Sequence, residues 1–353
     1  MKILHTSESY YPEVGGMSEM VQQISEQLIL LGHEVTVATG KSIKRRNKII
    51  NGVRLVEFGE KREGYQEFIK NSTFDVIANF AAQQWATNLI LPILDQLNAK
   101  KVFVPVGFSG LQLPWYWGYY QTMKKWIKQY DANIFLSNNY RDINFARKYK
   151  AKNIKVIPNG VNANEFLKKT NVDIRKKLGI PDDHFLVLNV SSHTGLKGHL
   201  EALRIFIKAN IPNATYLNIG KHSKSKFSCY WHCQILKALS TKNILIKDLT
   251  REQTVAAFKS ADIFLFTSKV ECSPIVLFEC VAAGTPFLTT DVGNAREIIG
   301  WTKGGKLLPT NINESAKILT DAYNHPLKKP PNLADKFTWK KIAREYERMY
   351  KCL

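Results

Sequence analysis

ECSPIVLFECVAAGTPFLTT, residues 271–290, sets two carboxylates into an otherwise apolar, helix-forming stretch. Ser273 suits a helix N-cap and Pro274 the first helical turn, where its missing N–H costs nothing. Val276, Leu277, Cys280 and Val281 bury one side of the predicted helix, and Gly284 with Pro286 ends it. The apolar runs 262–267 and 286–290 read as buried strands on either side. Glu271 therefore stands at the carboxyl end of a strand, where open α/β sheets place ligands. The free N–H groups of the turn formed by Ser273, Pro274, Ile275 and Val276 attract an anion such as a phosphate. By spacing alone, Glu271 and Glu279 read more readily as two solvated charges than as a site. Glu279, however, lies within the run 276–283, whose other members are all apolar, and a buried carboxylate needs a partner. Sugar or ribose hydroxyls would serve.

Outward from this segment the chain alternates strands and helices. Residues 2–6 form a first strand, the turn YYPEVGGMSE follows, and Met17, Met20, Val21, Ile24, Leu28 and Leu31 fall at helical spacing before Gly32. HEVTVAT is the next strand, completing a Rossmann-like half-unit. Gly15 and Gly16 let backbone approach a phosphate or sugar closely, although most such pairs serve only a tight turn. Further strands are expected at 53–58, 74–79, 101–106, 132–136 and from 154 into a Pro-Asn-Gly turn. The pattern then restarts with strands at 184–190, 216–220 and 244–247 and helices at 199–209, 227–239 and 251–259.

Glu271, seven residues, Glu279, then a helix closing on A-x-G-x-P resembles the donor-site motif of glycosyltransferase family 4. IPNGVN (157–162) and VGNAREII (292–299) resemble further segments of that family, with Asn162 for its usual Asp and Asn294 for its second Gly. The resemblance implies the GT-B fold, two Rossmann-like α/β domains facing a cleft. It divides them into an acceptor domain over 1–165 and a donor domain over 166–337, with a terminal helix at about 338–353 returning to the first. It implies a retaining glycosyltransferase, of hexosyltransferase type, that needs no metal or other cofactor and takes a nucleotide-diphosphate sugar as donor. Glu271 would contact the transferred sugar, Glu279 the ribose, and Lys197, of the family's Lys-Gly pair, the diphosphate. Gly15 and Gly16 would border the diphosphate and the acceptor. Two departures stand out. The family's Arg falls on Ser192, and its His near the end of the 101–106 strand falls on Val106 or Gly107, with Ser109 as a nearby polar group. A nucleotide-sugar-binding protein without full activity is the alternative these departures raise.

Composition bounds the rest. The 353 residues are 44 % hydrophobic and 23 % charged, a globular balance with room for two domains. No apolar run spans a bilayer and no signal-peptide core opens the chain, so a cytoplasmic place is expected. The five cysteines suggest no disulfide framework; Cys229 and Cys233 near His222 and His232 fit no zinc spacing, and ordinary packing is expected of them. The net charge of +20 points to an anionic partner or to a merely Lys-rich surface. In PWYWGYYQTMKKWIKQY (114–130), Trp115, Trp117, Tyr119, Tyr120, Trp126 and Tyr130 alternate with Lys124, Lys125 and Lys128. This reads either as an interfacial helix on an anionic membrane or as a partly buried helix with snorkelling lysines. A glycan or lipid-linked acceptor follows from the first reading, and no nucleic-acid motif supports a nucleic-acid partner.

Overall fold

The computed structural model describes residues 1–13, 15–221, 229–331 and 334–353. The chain divides into two compact units, 1–160 with 338–353, and 161–337. The first holds strands β1 (Lys2–Thr6), β2 (Glu34–Gly40), β3 (Ile49–Ile50), β4 (Val53–Phe58), β5 (Val76–Phe80), β6 (Lys100–Val104), β7 (Ala132–Phe135) and β8 (Ile154–Val156). They form one sheet in the order β3-β4-β2-β1-β5-β6-β7-β8. All pairs are parallel except β3 with β4. That edge hairpin was not expected from sequence. Its two-residue turn is Asn51-Gly52, both at positive φ, which is the type I′ geometry that matches strand twist.

The first unit is discontinuous in sequence. Its last helix, Trp339–Lys351, starts at a Thr338 N-cap whose side chain accepts from the Lys341 N–H. The helix brings Tyr346 into a stack on Phe80 of β5 and the Tyr350 hydroxyl to 3.1 Å from His5 Nε2 of β1.

The second unit contains β9 (Phe185–Val190), β10 (Ala214–Ile219), β11 (Asn243–Lys247), β12 (Ile263–Phe266), β13 (Phe287–Thr289) and β14 (Gly305–Leu307). Its sheet is wholly parallel, in the order β11-β10-β9-β12-β13-β14. Alternate residues load opposite faces. Leu186, Leu188, Phe264 and Phe266 enter one apolar cluster, while Val187, Ile263 and Leu265 enter another. Helices cover both faces, as parallel sheets require. The order reverses between β9 and β12, so the loops leaving those two strands meet at the switch point where doubly wound sheets bind ligands.

Candidate functional site

The loop after β9 carries Lys197 and the loop after β12 carries Glu271. Their side chains meet across the switch point, Lys197 Nζ lying 2.6 Å from Glu271 Oε1. The Ser268 hydroxyl donates to the same carboxylate oxygen at 2.8 Å. The loops are stitched together: the Lys269 backbone N–H donates to the Leu196 carbonyl at 2.9 Å, and the Thr267 side-chain hydroxyl to the Gly198 carbonyl at 2.7 Å. Gly198 is obligatory here. Its φ is +67, and a Cβ would fall 1.9 Å from the Thr267 carbonyl oxygen.

The helix following Glu271 runs Ile275–Ala283, with Pro274 rather than Ser273 at the N-cap position. Ser273 is buried and its hydroxyl accepts from Asn294 Nδ2 at 3.0 Å. Asn294 also donates its backbone N–H to the Cys272 carbonyl at 3.0 Å. Gly293, at positive φ, lies so close that a Cβ would be 2.2 Å from that carbonyl. The Gly293-Asn294 turn thus holds the turn Ser273, Pro274, Ile275 and Val276 in place. The sequence presents Asn294 only as a departure from a Gly-Gly pair; the structure makes it a clamp.

Glu279 is 5 % exposed, on the helix flank. Its partner is Arg251, the first residue of the helix Arg251–Ser260, which pairs with both Glu279 and Glu165. Burial works against the guanidinium charge, but the Glu279 and Glu165 carboxylates outweigh it and raise the Arg251 pKa above its ordinary value. Neither Arg251 nor Glu165 is signalled by the motif, because Arg251 reaches Glu279, and Glu165 reaches Arg251, from distant positions. Gly220, in contrast, is accounted for by packing: a Cβ would fall 1.9 Å from the Ser191 carbonyl oxygen.

In the first unit, Gly15 and Gly16 open the helix Gly16–Leu30, exposed, with nothing within 4 Å of a Cβ built on either. Packing does not demand glycine there. At the end of β6, Val106, Gly107 and Phe108 all take positive φ, which is costly for a β-branched residue. The loop is held by burial of Phe108 against Phe103, Tyr120 and Phe145, and by the buried Asp142 carboxylate, which accepts from the Gly107 N–H at 2.8 Å. Burial raises the Asp142 pKa to about 6.

The aromatic segment divides in two. Tyr120 and Tyr130 are core residues, and the Tyr119 hydroxyl accepts from the Gln83 N–H. An interfacial face made of all six rings is therefore excluded; Trp115 and Trp117, 74 % and 69 % exposed, are the outward pair. No helix among the described residues is long and apolar enough to cross a membrane.

Comparison with known proteins matches residues 14–165 to Glycosyltransferase Family 4 and residues 171–338 to Glycosyl transferases group 1. The chain is a family 4 glycosyltransferase. The enzyme is 24 % identical to an uncharacterized glycosyltransferase of Methanocaldococcus jannaschii, over 99 % of this chain and 98 % of the relative. It is 21 % identical to N-acetyl-alpha-D-glucosaminyl L-malate synthase of Bacillus anthracis, over 96 % and 94 %. Anabaena HepE, solved in complex with UDP and glucose, shares the fold at TM-score 0.80 and 16 % identity, each chain covered in full. The glycosyltransferase thus has the GT-B fold, two Rossmann-like domains, as the resemblance implied.

Proposed function

We propose that this glycosyltransferase transfers a sugar, with retention at the anomeric carbon, from a nucleotide-diphosphate sugar to a hydroxyl of a growing glycan or glycolipid. The observation that carries the proposal is the Lys197–Glu271 pair at the β9/β12 switch point, beside the start of the helix that bears Glu279. Breaking the sugar–phosphate bond places negative charge on the leaving diphosphate. An ammonium and the backbone N–H groups of a helix start stabilise that charge in place of a metal ion. Glu271 offers its carboxylate to the sugar hydroxyls once the diphosphate draws Lys197 away, and Glu279, oriented by Arg251, receives the ribose hydroxyls. No side chain is assigned as a nucleophile; the leaving phosphate takes the acceptor proton. UDP is the first nucleotide to test, since HepE was solved with it.

Ser192 and Val106-Gly107 favour a second reading, binding of the donor without turnover. A panel of nucleotide sugars decides between the two: release of nucleoside diphosphate with one donor supports transfer, and tight binding with no release supports the alternative. Proton NMR of the product reads the anomeric configuration, and inversion would end the retaining assignment.

For the acceptor, we place the enzyme at an anionic membrane surface on the cytoplasmic side, held by its +20 charge and by Trp115 and Trp117. Each basic residue near such a surface contributes about 1 kcal/mol, screened by salt, whereas ring burial is not screened. Vesicle sedimentation should show binding to anionic lipid that weakens with salt, and a residue of binding at high salt that Trp115→Ala with Trp117→Ala removes. Indifference to anionic vesicles at low salt would make a soluble acceptor the better reading.

A further inference from the structure

Three side chains that the transfer chemistry does not use converge beside the switch point. His193 lies in the loop after β9, His199 opens the helix His199–Ala209, and Cys229 opens the helix Cys229–Ala238. One ligand atom of each lies within 4.8 Å of the others. Cys229 Sγ is 3.5 Å from His193 Nδ1 and 3.6 Å from His199 Nδ1, and the two rings stack with centroids 4.1 Å apart. This grouping is not the one the sequence offers. Cys233 and His232 are not members, and His222 lies outside the described residues.

Hydrogen bonding beyond the three residues sets both ring tautomers. The Leu265 carbonyl, which can only accept, takes the Asn189 Nδ2 hydrogen at 2.7 Å. Asn189 Oδ1 is then left to accept from Asn218 Nδ2 at 2.9 Å, and Asn218 Oδ1 to accept from His193 Nε2 at 2.7 Å. His199 Nε2 donates to the Ser191 carbonyl at 3.0 Å. Both Nε2 atoms therefore carry the hydrogen, and both Nδ1 atoms turn a lone pair toward the sulfur. Fixing the outer nitrogen by a carbonyl is how ligating histidines are oriented. The chain is deeply buried, with His193, His199, Asn189 and Asn218 each at most 2 % exposed.

We propose that His193, His199 and Cys229 bind a zinc ion, which ties the loop bearing Lys197 to the helix Cys229–Ala238. Zinc bonds of about 2.3 Å to sulfur and 2.0–2.1 Å to nitrogen at a tetrahedral angle put sulfur and nitrogen roughly 3.5 Å apart. The observed separations are 3.5 and 3.6 Å, and the ring stack, 18° between planes, must open for both lone pairs to converge on one ion. Binding displaces the Cys229 thiol proton to solvent, and a fourth position remains for a water or another ligand. The ion is structural and takes no part in the departure of the diphosphate.

The test uses the full chain, stripped of metal by a chelator and titrated with Co2+ and then Zn2+. A single Co2+ per chain should bind with a thiolate-to-cobalt charge-transfer absorption that Zn2+ removes. Cys229→Ser should abolish that absorption, Cys352→Ser should keep it, and Asn218→Ala should weaken Zn2+ binding by about 10–100-fold. In the wild type, which needs no variant to fold, Zn2+ should protect Cys229 from alkylation by iodoacetamide, read by peptide mass. Absence of the absorption in the wild type, its survival in Cys229→Ser, or equal alkylation of Cys229 with and without Zn2+ would overturn the proposal.

Discussion

The two sheets share their wiring and differ in what they load onto it. In each, strand order reverses beside the first strand of the unit, between β1 and β5 in one and between β9 and β12 in the other. The second unit loads its switch point with charge, Lys197 against Glu271, and pairs Glu279 on the helix that follows with Arg251. The first unit leaves an exposed glycine turn at Gly15-Gly16, and on the β6 side a strained, apolar-anchored loop at 106–108. The lesson is that Rossmann order provides a place for a ligand, while the ligand's chemistry comes from the few side chains on the loops there.

Lys197→Ala should break the contrast most severely. It removes the cation proposed for the leaving diphosphate, and loss of one such group costs about 10²–10³ in turnover. Steady-state rates with the true donor, with circular dichroism as the folding control, measure it; a change of less than tenfold would move the diphosphate elsewhere. Next in size is Glu279→Ala. Ribose hydroxyls lose a charged acceptor worth roughly 1.5–3 kcal/mol, so donor affinity should fall in titration calorimetry. Equal affinity would leave Glu279 as no more than the partner of Arg251.

The smallest effect sharpens the other side of the comparison. The folded pKa of Asp142 is raised by burial to about 6, so the folded first unit holds this proton more tightly than the unfolded chain does. Its contribution to stability is full below pH about 4, the ordinary carboxylate range, and is lost as pH rises through about 6. Asp142→Asn, which keeps a neutral acceptor for the Gly107 N–H, should remove that part of the pH dependence. Thermal unfolding across this range compares the two proteins, and identical slopes would show that Asp142 does not hold the 106–108 loop as a neutral acid.

Much of this was legible in the sequence because its signals are local. Apolar runs bounded by Gly and Pro placed the long strands, and two carboxylates at fixed spacing on one strand–loop–helix unit placed Glu271 and Glu279. What escaped depends on distance or brevity. β14 has only three residues, Gly305–Leu307, too few for any periodicity to register. The β3–β4 hairpin carried a readable Asn-Gly signal, but its first strand has only two residues, too few to register. Arg251, Glu165 and Asn294 act across tens of residues, and only the parallel sheet order brings them to the motif. His193, His199 and Cys229 have no ligand-like spacing, since Cys229 arrives from a different helix.

The central claim is that the β9/β12 switch point is where a nucleotide sugar is held and its sugar released. The most direct measurement is nucleoside diphosphate release from a nucleotide-sugar panel, run in parallel on the wild type and on Glu271→Gln. Glu271 ends a loop rather than filling the core, so the variant should fold, yet its weakened hold on the sugar hydroxyls should be felt most in the transition state. The account predicts release from one donor by the wild type and a clear loss of turnover in Glu271→Gln at similar donor affinity. Equal turnover by the two proteins would contradict it.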